Sequence, residues 1–271
     1  MEIKFYAPEW GNTLPFELFC ENVKAAGYNG VEMALPLEEK EKQKMIDLLE
    51  ANELELIGQY WQSFESDLDL HAKSYELYLR NLISARPVFI NCQTGKDYFT
   101  FEQNRVLFEI AGRLSKEFNI PIVHETHRGK SLYAAHVTQM YLTLIPELQL
   151  TLDISHWCTV HESLLHDQTE AVDLAISRTV HIHSRVGHPE GPQVNDPRAP
   201  EWREVMEAHL SWWDRAVSNS KENGKVLTIT TEFGPAAYMP VMPYTQIPLA
   251  NQWDINVFMM KMLKKRYLQE S

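Results

Sequence analysis

The sequence predicts a (β/α)8 TIM barrel, an α/β fold in which eight parallel strands alternate with helices around a closed sheet. Short apolar segments and longer amphipathic segments alternate eight times along the chain. The apolar segments lack the polar alternation of a half-exposed strand, which is typical of parallel strands covered on both faces. Several of them end on ionisable residues, and barrels of this kind carry their functional side chains where strands lead into helices.

The individual elements follow from apolar runs for strands and from apolar residues at helical spacing for helices. Thr13 is expected to cap the first helix, Gly27 to end it, and Asp67 to cap the third. The predicted strands cover residues 3–6, 30–33, 54–58, 87–91, 121–123, 149–153, 179–183 and 225–231. The predicted helices cover residues 13–26, 38–51, 68–85, 101–118, 131–145, 169–177, 202–223 and 252–268.

Length and composition agree with a barrel that forms one domain over residues 1–271. A chain with 44% hydrophobic residues can bury a full core, and barrels of this length are usually one domain. No shift in composition separates two halves. The alternative is an open doubly wound sheet, which usually has a glycine-rich phosphate turn after its first strand. The segment 9–11, Glu-Trp-Gly, is not such a turn.

Charge and cysteine content restrict the class of partner and the compartment. The formal net charge of −12 disfavours nucleic acid as a partner, because phosphate binding needs a basic face. Three cysteines without CxxC spacing indicate neither a disulfide framework nor a cysteine zinc site, so a reducing cytoplasm is expected. Neither a signal peptide nor a membrane span is apparent. Trp212 and Trp213 are expected to pack on the barrel or on a neighbouring subunit, which leaves a homo-oligomer open.

Ionisable residues end four of the predicted strands. Glu125 follows the fifth strand, Asp153 ends the sixth, His183 ends the seventh and Glu232 follows the eighth. Because side chains alternate along a strand, each strand can direct its last polar group inward. Three carboxylates and one imidazole are suitable ligands for a divalent cation such as Mn²⁺, Mg²⁺, Co²⁺ or Zn²⁺. Such negative charge is costly to bury without a cation, so the pattern predicts a metal site.

Four motifs at these strand ends resemble those of the xylose isomerase-like superfamily of sugar isomerases and epimerases. They are IVHETHRG, LDISHW, VHIHSR and TTEFGP, and the resemblance covers essentially the whole chain. As an ordered set at successive strand ends they are specific to that superfamily. The resemblance implies a (β/α)8 barrel that holds one divalent metal ion. The ligands that it implies are Glu125, Asp153, His183 and Glu232.

Further side chains are expected around the substrate. The resemblance implies that His156 and Arg185, at positions similar to substrate-contacting residues of the ketose 3-epimerases, touch sugar hydroxyls. The spacing between His183 and Arg185 is shorter here than in those enzymes. His127 and His181 are candidates for hydrogen bonds to substrate or to a ligand. A separate group sits at other strand ends and is expected to line the pocket: Trp10, Gln59, Glu32, Asn91 and, with a packing role, Trp61.

The expected chemistry is proton transfer next to a carbonyl group. A divalent ion bound by a carbonyl oxygen and its neighbouring hydroxyl stabilises the enediolate that forms when the proton leaves. Glu125 and Glu232 on either side of a substrate take a proton from one face and return one to the other. We therefore expect a metal-dependent isomerase or epimerase of a carbohydrate, namely a sugar, a sugar acid or a polyol ketone.

Three other functions are considered. A dehydratase uses the same intermediate but expels a β-hydroxyl group, and the sequence does not separate the two. An endonuclease like those that cut abasic DNA would need more histidines and aspartates for a multi-zinc cluster, and the segment after His183 has no Asp-x-His pair. A non-catalytic sugar-binding barrel is disfavoured because Glu125 and Glu232 are both present. The segments 184–200 and 234–251 are long enough to be lids or binding loops.

Overall fold

Eight parallel strands close into a barrel in the computed structural model, which describes residues 2–268. Each strand pairs with the next along the chain, and β8 pairs with β1 in the register Ile3 to Leu227. The strands are β1 Ile3–Pro8, β2 Gly30–Met33, β3 Glu55–Tyr60, β4 Ile90–Cys92, β5 Ile122–Glu125, β6 Leu150–Leu152, β7 Thr179–His183 and β8 Leu227–Thr230. The predicted (β/α)8 barrel is confirmed, and the open-sheet alternative is excluded.

Nine α-helices cover the described part of the barrel. They are α1 Phe16–Ala26, α2 Glu39–Ala51, α3 Leu68–Ser84, α4 Phe101–Phe118, α5 Ala135–Leu144, α6 Ser155–Val160, α7 Thr169–Ser177, α8 Arg203–Glu222 and α9 Gln252–Leu268. The side chain of Asp67 accepts the backbone N–H of Leu70 at 3.0 Å, so the predicted cap of α3 is confirmed.

One local prediction is wrong, and one short helix was not predicted. Thr13 does not cap α1, which begins at Phe16 after Pro15 and has no side-chain cap. A proline disfavours the helical conformation in the residue before it, so Leu14 is unsuited to be the first residue of a helix capped by Thr13. Residues 155–160 form the short helix α6, which the sequence analysis did not predict. Six residues are too few to show helical periodicity.

The barrel interior contains a small apolar cluster and, towards the carboxyl ends of the strands, a polar layer. Tyr6, Ile57, Phe89 and Val123 form the apolar cluster, which is separate from the larger core between strands and helices. Val123 and Glu125 are two residues apart on β5 and therefore face the same side. The polar side chains thus begin one layer above the apolar cluster.

The tryptophan pair on α8 packs within the chain. Trp213 is fully buried and Trp212 is 8% exposed. Both side chains belong to the core between strands and helices, which agrees with the expected packing on the barrel. Within residues 2–268, no helix is both long and apolar enough to cross a bilayer.

The buried ring of His209 on α8 predicts a loss of stability in acid. Its Nδ1 donates to the carbonyl of Val205 at 2.9 Å, and its Nε2 accepts the N–H of Gly187 at 3.2 Å. Burial lowers the pKa of His209 from 6.5 to about 4. Between pH 6.5 and 4 the ring is therefore protonated in the unfolded chain but neutral in the native state. The free energy of unfolding decreases by about 3 kcal/mol as the pH falls through this range.

Urea unfolding at pH 7 and at pH 5 tests this expectation. The variant His209→Gln should lose about 2 kcal/mol less than the wild type on acidification, because its side chain does not titrate. His136→Gln, at an exposed position, is the control and should behave as the wild type. An equal loss in the wild type and His209→Gln would contradict the assignment.

Candidate metal centre

The four side chains predicted as ligands meet at one point at the carboxyl end of the barrel. Glu125, Asp153, His183 and Glu232 each offer an atom, and these atoms lie within 4.8 Å of one another. All four residues are buried. The buried atoms His183 Nδ1 and Glu232 Oε2 have no hydrogen-bond partner, although they are 2.8 Å apart. Three carboxylates and an imidazole, with two atoms left unpaired, fit a divalent cation.

Arg185 is the guanidinium that enters this cluster. It is 1% exposed, and its Nη2 forms an ion pair with Asp153 and lies 3.7 Å from Oε2 of Glu232. Ser155 and His156 accept further hydrogen bonds from it at 3.1 Å and 2.7 Å. Its Nε and Nη2 are thus directed at the protein, which orients Asp153. The predicted contact between Arg185 and sugar hydroxyls stays a prediction.

Burial and the neighbouring carboxylates change the proton affinities of this cluster. Burial first, and then the charges of Glu232 and Asp153, raise the pKa of Glu125 to about 8. Burial also acts to raise the pKa of Glu232, but the charges of His183 and Arg185 outweigh it and lower that pKa. Burial would lower the pKa of His183, yet the surrounding carboxylates, Glu232 foremost, raise it well above its usual value. The protein thus holds excess negative charge that attracts protons or a cation.

A cavity of about 310 Å³ reaches the candidate ligand Glu232. Its volume is at the lower end of ligand pockets. Glu232 and Arg185 form part of its wall, and Gln59 donates to Oε1 of Glu232 at 3.1 Å. The remaining lining residues are Glu9, Trp10, Gly11, Ala34, Trp61, Gln93, His127 and Tyr238. Trp10 and Gln59 thus line this cavity, and their predicted contact with substrate stays a prediction.

Aromatic rings form one wall of the cavity. The Cζ atom of Arg185 lies 4.7 Å from the ring centroid of Tyr238 and 5.9 Å from that of Trp10. A Cβ atom at Gly234 would lie 2.2 Å from the indole of Trp10, so only glycine allows this close approach. Gln193 bonds to the backbone N–H and carbonyl of Gly234 at 2.7 Å and 3.1 Å, which ties together the two long loops that sequence analysis singled out.

The candidate substrate histidines differ in position. His127 lines the cavity, and its Nδ1 donates to the carbonyl of Arg128 at 2.6 Å. His156 stacks against it with ring centroids 3.9 Å apart, but it is fully buried and does not line the cavity. Burial lowers the pKa of both rings well below the usual value, which keeps them neutral. The contact predicted between His156 and substrate also stays a prediction.

The sequence analysis missed Tyr238 and was wrong about the place of Glu32. Tyr238 comes from a long loop without regular structure, so no periodic signal marked it. Glu32 at the end of β2 was expected to line the pocket but lies behind the metal centre, within 3.0 Å of His183. Its position between the imidazoles of His181 and His183 depends on contacts across the barrel. The signal in the sequence for a role of Glu32 in the site was its position near the end of a predicted strand.

Comparisons with known proteins agree with this architecture. No family model matches the chain. An inosose dehydratase from Mesomycoplasma hyopneumoniae is 26% identical over 197 residues, which are 65% of this chain and 64% of that protein. The match thus spans less than two thirds of this relative. The solved structure of a D-allulose 3-epimerase from Methylomonas sp., in complex with D-allulose, superimposes with a TM-score of 0.64 at 15% identity and covers 98% of both chains. The chain thus shares its closed (β/α)8 barrel fold with this epimerase.

The shared barrel fold does not by itself decide the reaction. Endonuclease IV from Thermus thermophilus also superimposes, with a TM-score of 0.61 at 13% identity over 100% of this chain and 99% of the endonuclease. Within this barrel, the side chains at the carboxyl ends of the strands must distinguish one reaction from another. These are the carboxylates, imidazoles and amides described above.

Proposed function

We propose that the chain is a divalent-metal-dependent isomerase or epimerase of a sugar, a sugar acid or a polyol ketone. The observation that carries the proposal is the meeting of Glu125 and Glu232 at one centre from the non-adjacent strands β5 and β8. Two carboxylates at one centre can remove a proton from carbon and return it to a second position or face. The likeness to an epimerase solved with D-allulose supports a carbohydrate as substrate.

Glu125, Asp153, His183 and Glu232 would hold the ion. When bound, it supplies a Lewis acid that polarises a carbonyl group and makes the adjacent C–H bond more acidic. The protein groups provide the proton transfer and the alignment. Gln59 fixes one oxygen of Glu232 by its hydrogen bond of 3.1 Å, so the carboxylate has a defined direction towards substrate.

The cavity wall suits a polyhydroxylated ligand. Trp10 and Tyr238 offer aromatic faces to the C–H groups of a sugar. Gln93 and Glu9 offer an amide and a carboxylate to hydroxyl groups. These groups are half-buried and therefore accessible from the cavity. The site therefore combines a proton-transfer pair with hydrogen-bonding and stacking surfaces for one small molecule.

Dehydration is the second candidate function, and the similarity to an inosose dehydratase favours it. Loss of water needs an acid that protonates the departing hydroxyl group. Glu9 lines the cavity, and burial raises its pKa to about 6, so about a tenth of it is protonated at pH 7 and more in mild acid. Glu9 could thus serve as that acid on the same metal site.

Deuterium labelling separates the two functions. We expect the protein with Mn²⁺ in D₂O to place deuterium on carbon of a ketose, an inosose-type polyol ketone or a sugar acid, without loss of water, as followed by NMR. The physical reason is that a proton removed by Glu125 or Glu232 exchanges with solvent before it returns. Loss of water from the same substrate would select the dehydratase instead. A Glu55→Gln variant, altered at the opposite end of the barrel, is the matched control and should retain labelling.

A further inference from the structure

A second buried carboxylate lies behind the candidate metal centre. Glu32 is the last residue but one of β2 and is 2% exposed. Both of its oxygens are 3.0 Å from Nε2 of His183, and Oε2 is 3.1 Å from Nε2 of His181. The other ring nitrogen of His183, Nδ1, points towards Glu232 at 2.8 Å. Glu32 therefore contacts the imidazole at the end opposite to the one offered to the centre.

The same carboxylate is linked to a second candidate ligand. The amide nitrogen of Asn91 donates to Oε1 of Glu32 at 2.8 Å and to Oε2 of Glu125 at 3.0 Å. Since Asn91 is fully buried, this bridge is shielded from water. Two of the four groups around the centre, His183 and Glu125, are thus held from behind by one carboxylate and its amide partner.

A carboxylate at the position of Glu32 is unusual for the interior of such a barrel. Interiors of this fold are usually filled by branched apolar side chains, and a buried carboxylate costs free energy unless it is paired. His181 completes the pairing, because its Nδ1 lies 2.7 Å from Oγ1 of Thr228 while its Nε2 faces Glu32. Two atoms of this network have no hydrogen-bond partner: Oδ1 of Asn91 and Nδ1 of His183, and the second of these lies on the side of the centre.

We propose that Glu32 is a positioning residue of the metal centre: it holds His183 in the tautomer that carries hydrogen on Nε2 and presents Nδ1 to the ion. Through Asn91 it also fixes the direction of Glu125. This inference rests on the proposed function, which makes His183 and Glu125 metal ligands. A carboxylate behind a metal-binding histidine fixes the ring orientation and raises its basicity, and its loss typically weakens metal binding 10- to 100-fold.

Isothermal titration of the metal-free protein with Mn²⁺ tests the role, with the dissociation constant and the stoichiometry as readouts. Glu32→Gln keeps the size of the side chain but removes its charge. Glu32→Asp keeps the charge but withdraws the carboxylate by one methylene group. If position matters, both variants should bind Mn²⁺ about 10- to 100-fold more weakly than the wild type. Glu55→Gln is the matched control, since Glu55 is also a glutamate on a barrel strand but pairs with Tyr6 and Lys4.

Each result of these titrations either supports or rejects the proposed role of Glu32. Weaker binding by both Glu32 variants, with unchanged binding by Glu55→Gln and equal unfolding temperatures in chelator, supports positioning. Weakening by Glu32→Gln alone would show an effect of charge and overturn the inference. A second Mn²⁺ per chain that is lost in both variants would make Glu32, His181 and His183 a separate metal site, which also overturns it. Wild-type affinity in both variants would leave the proposed function intact and reject the role of Glu32, whereas a wild type that binds no Mn²⁺ would reject both.

Discussion

Exhaustive chelation is expected to reduce turnover by at least about 10³-fold and to lower the unfolding temperature by about 5 °C. A bound ion contributes several kcal/mol of charge stabilisation in the transition state, and about 4 kcal/mol corresponds to the lost rate. The thermal shift follows from binding to the native state alone. At a free metal concentration 100 times the dissociation constant, binding stabilises the native state by about 2.7 kcal/mol. Each kcal/mol shifts the unfolding temperature of a chain of this size by roughly 2 °C, so the expected total shift is about 5 °C.

The measurement combines activity, elemental analysis and thermal unfolding on the same sample. Readdition of Mn²⁺ should restore both turnover and the unfolding temperature. The variant Asp214→Asn, which removes a surface ion pair with Arg266, is the control and should show the same metal dependence as the wild type. Full turnover in a sample that contains no metal would reject the mechanism. An unchanged unfolding temperature with and without Mn²⁺ would show that the four buried side chains do not bind the ion.

The four candidate ligands could be predicted because each is the last polar group of an apolar strand. In a closed parallel sheet the carboxyl ends of all strands lie at one end of the barrel. The convergence of residues far apart in sequence can therefore be predicted although the loop conformations are unknown. The spacing of Val123 and Glu125 also fixed which face of β5 the carboxylate occupies. The ordered motifs at these strand ends implied a (β/α)8 barrel by resemblance, and the closed barrel confirms that fold.

The contacts that orient these ligands could not be predicted in the same way. Glu32 meets His183 across the barrel, from strands that are not neighbours, and this depends on the stagger of the closed sheet. The ion pair between Arg185 and Asp153 depends on the course of the loop after β7, which has no periodic pattern. Tyr238 reaches the cavity from the loop after β8 for a similar reason. Sequence periodicity locates elements, whereas loop conformation and cross-barrel register determine which side chains finally touch.

Replacement of either glutamate of the proton-transfer pair should abolish turnover. We expect Glu125→Gln and Glu232→Gln each to reduce the rate by at least about 10³-fold, because an amide cannot accept the substrate proton and general acid–base catalysis is typically worth 10²- to 10⁴-fold. Loss of a metal ligand adds to this effect. Steady-state kinetics and solvent deuterium exchange measure both the overall rate and the first proton removal.

Asp153→Asn distinguishes loss of the proton carrier from loss of the ion. Asp153 is a candidate ligand whose two oxygens are also bonded to Ser155 and Arg185, so it is poorly placed to carry the substrate proton. Saturating Mn²⁺ should therefore restore a large part of the activity of Asp153→Asn, but little of that of Glu232→Gln or Glu125→Gln. Equal rescue of all three would show that the glutamates act only as ligands. Unimpaired turnover in Glu232→Gln would place the base elsewhere, and sugar binding without turnover in the wild type would instead favour a non-catalytic barrel.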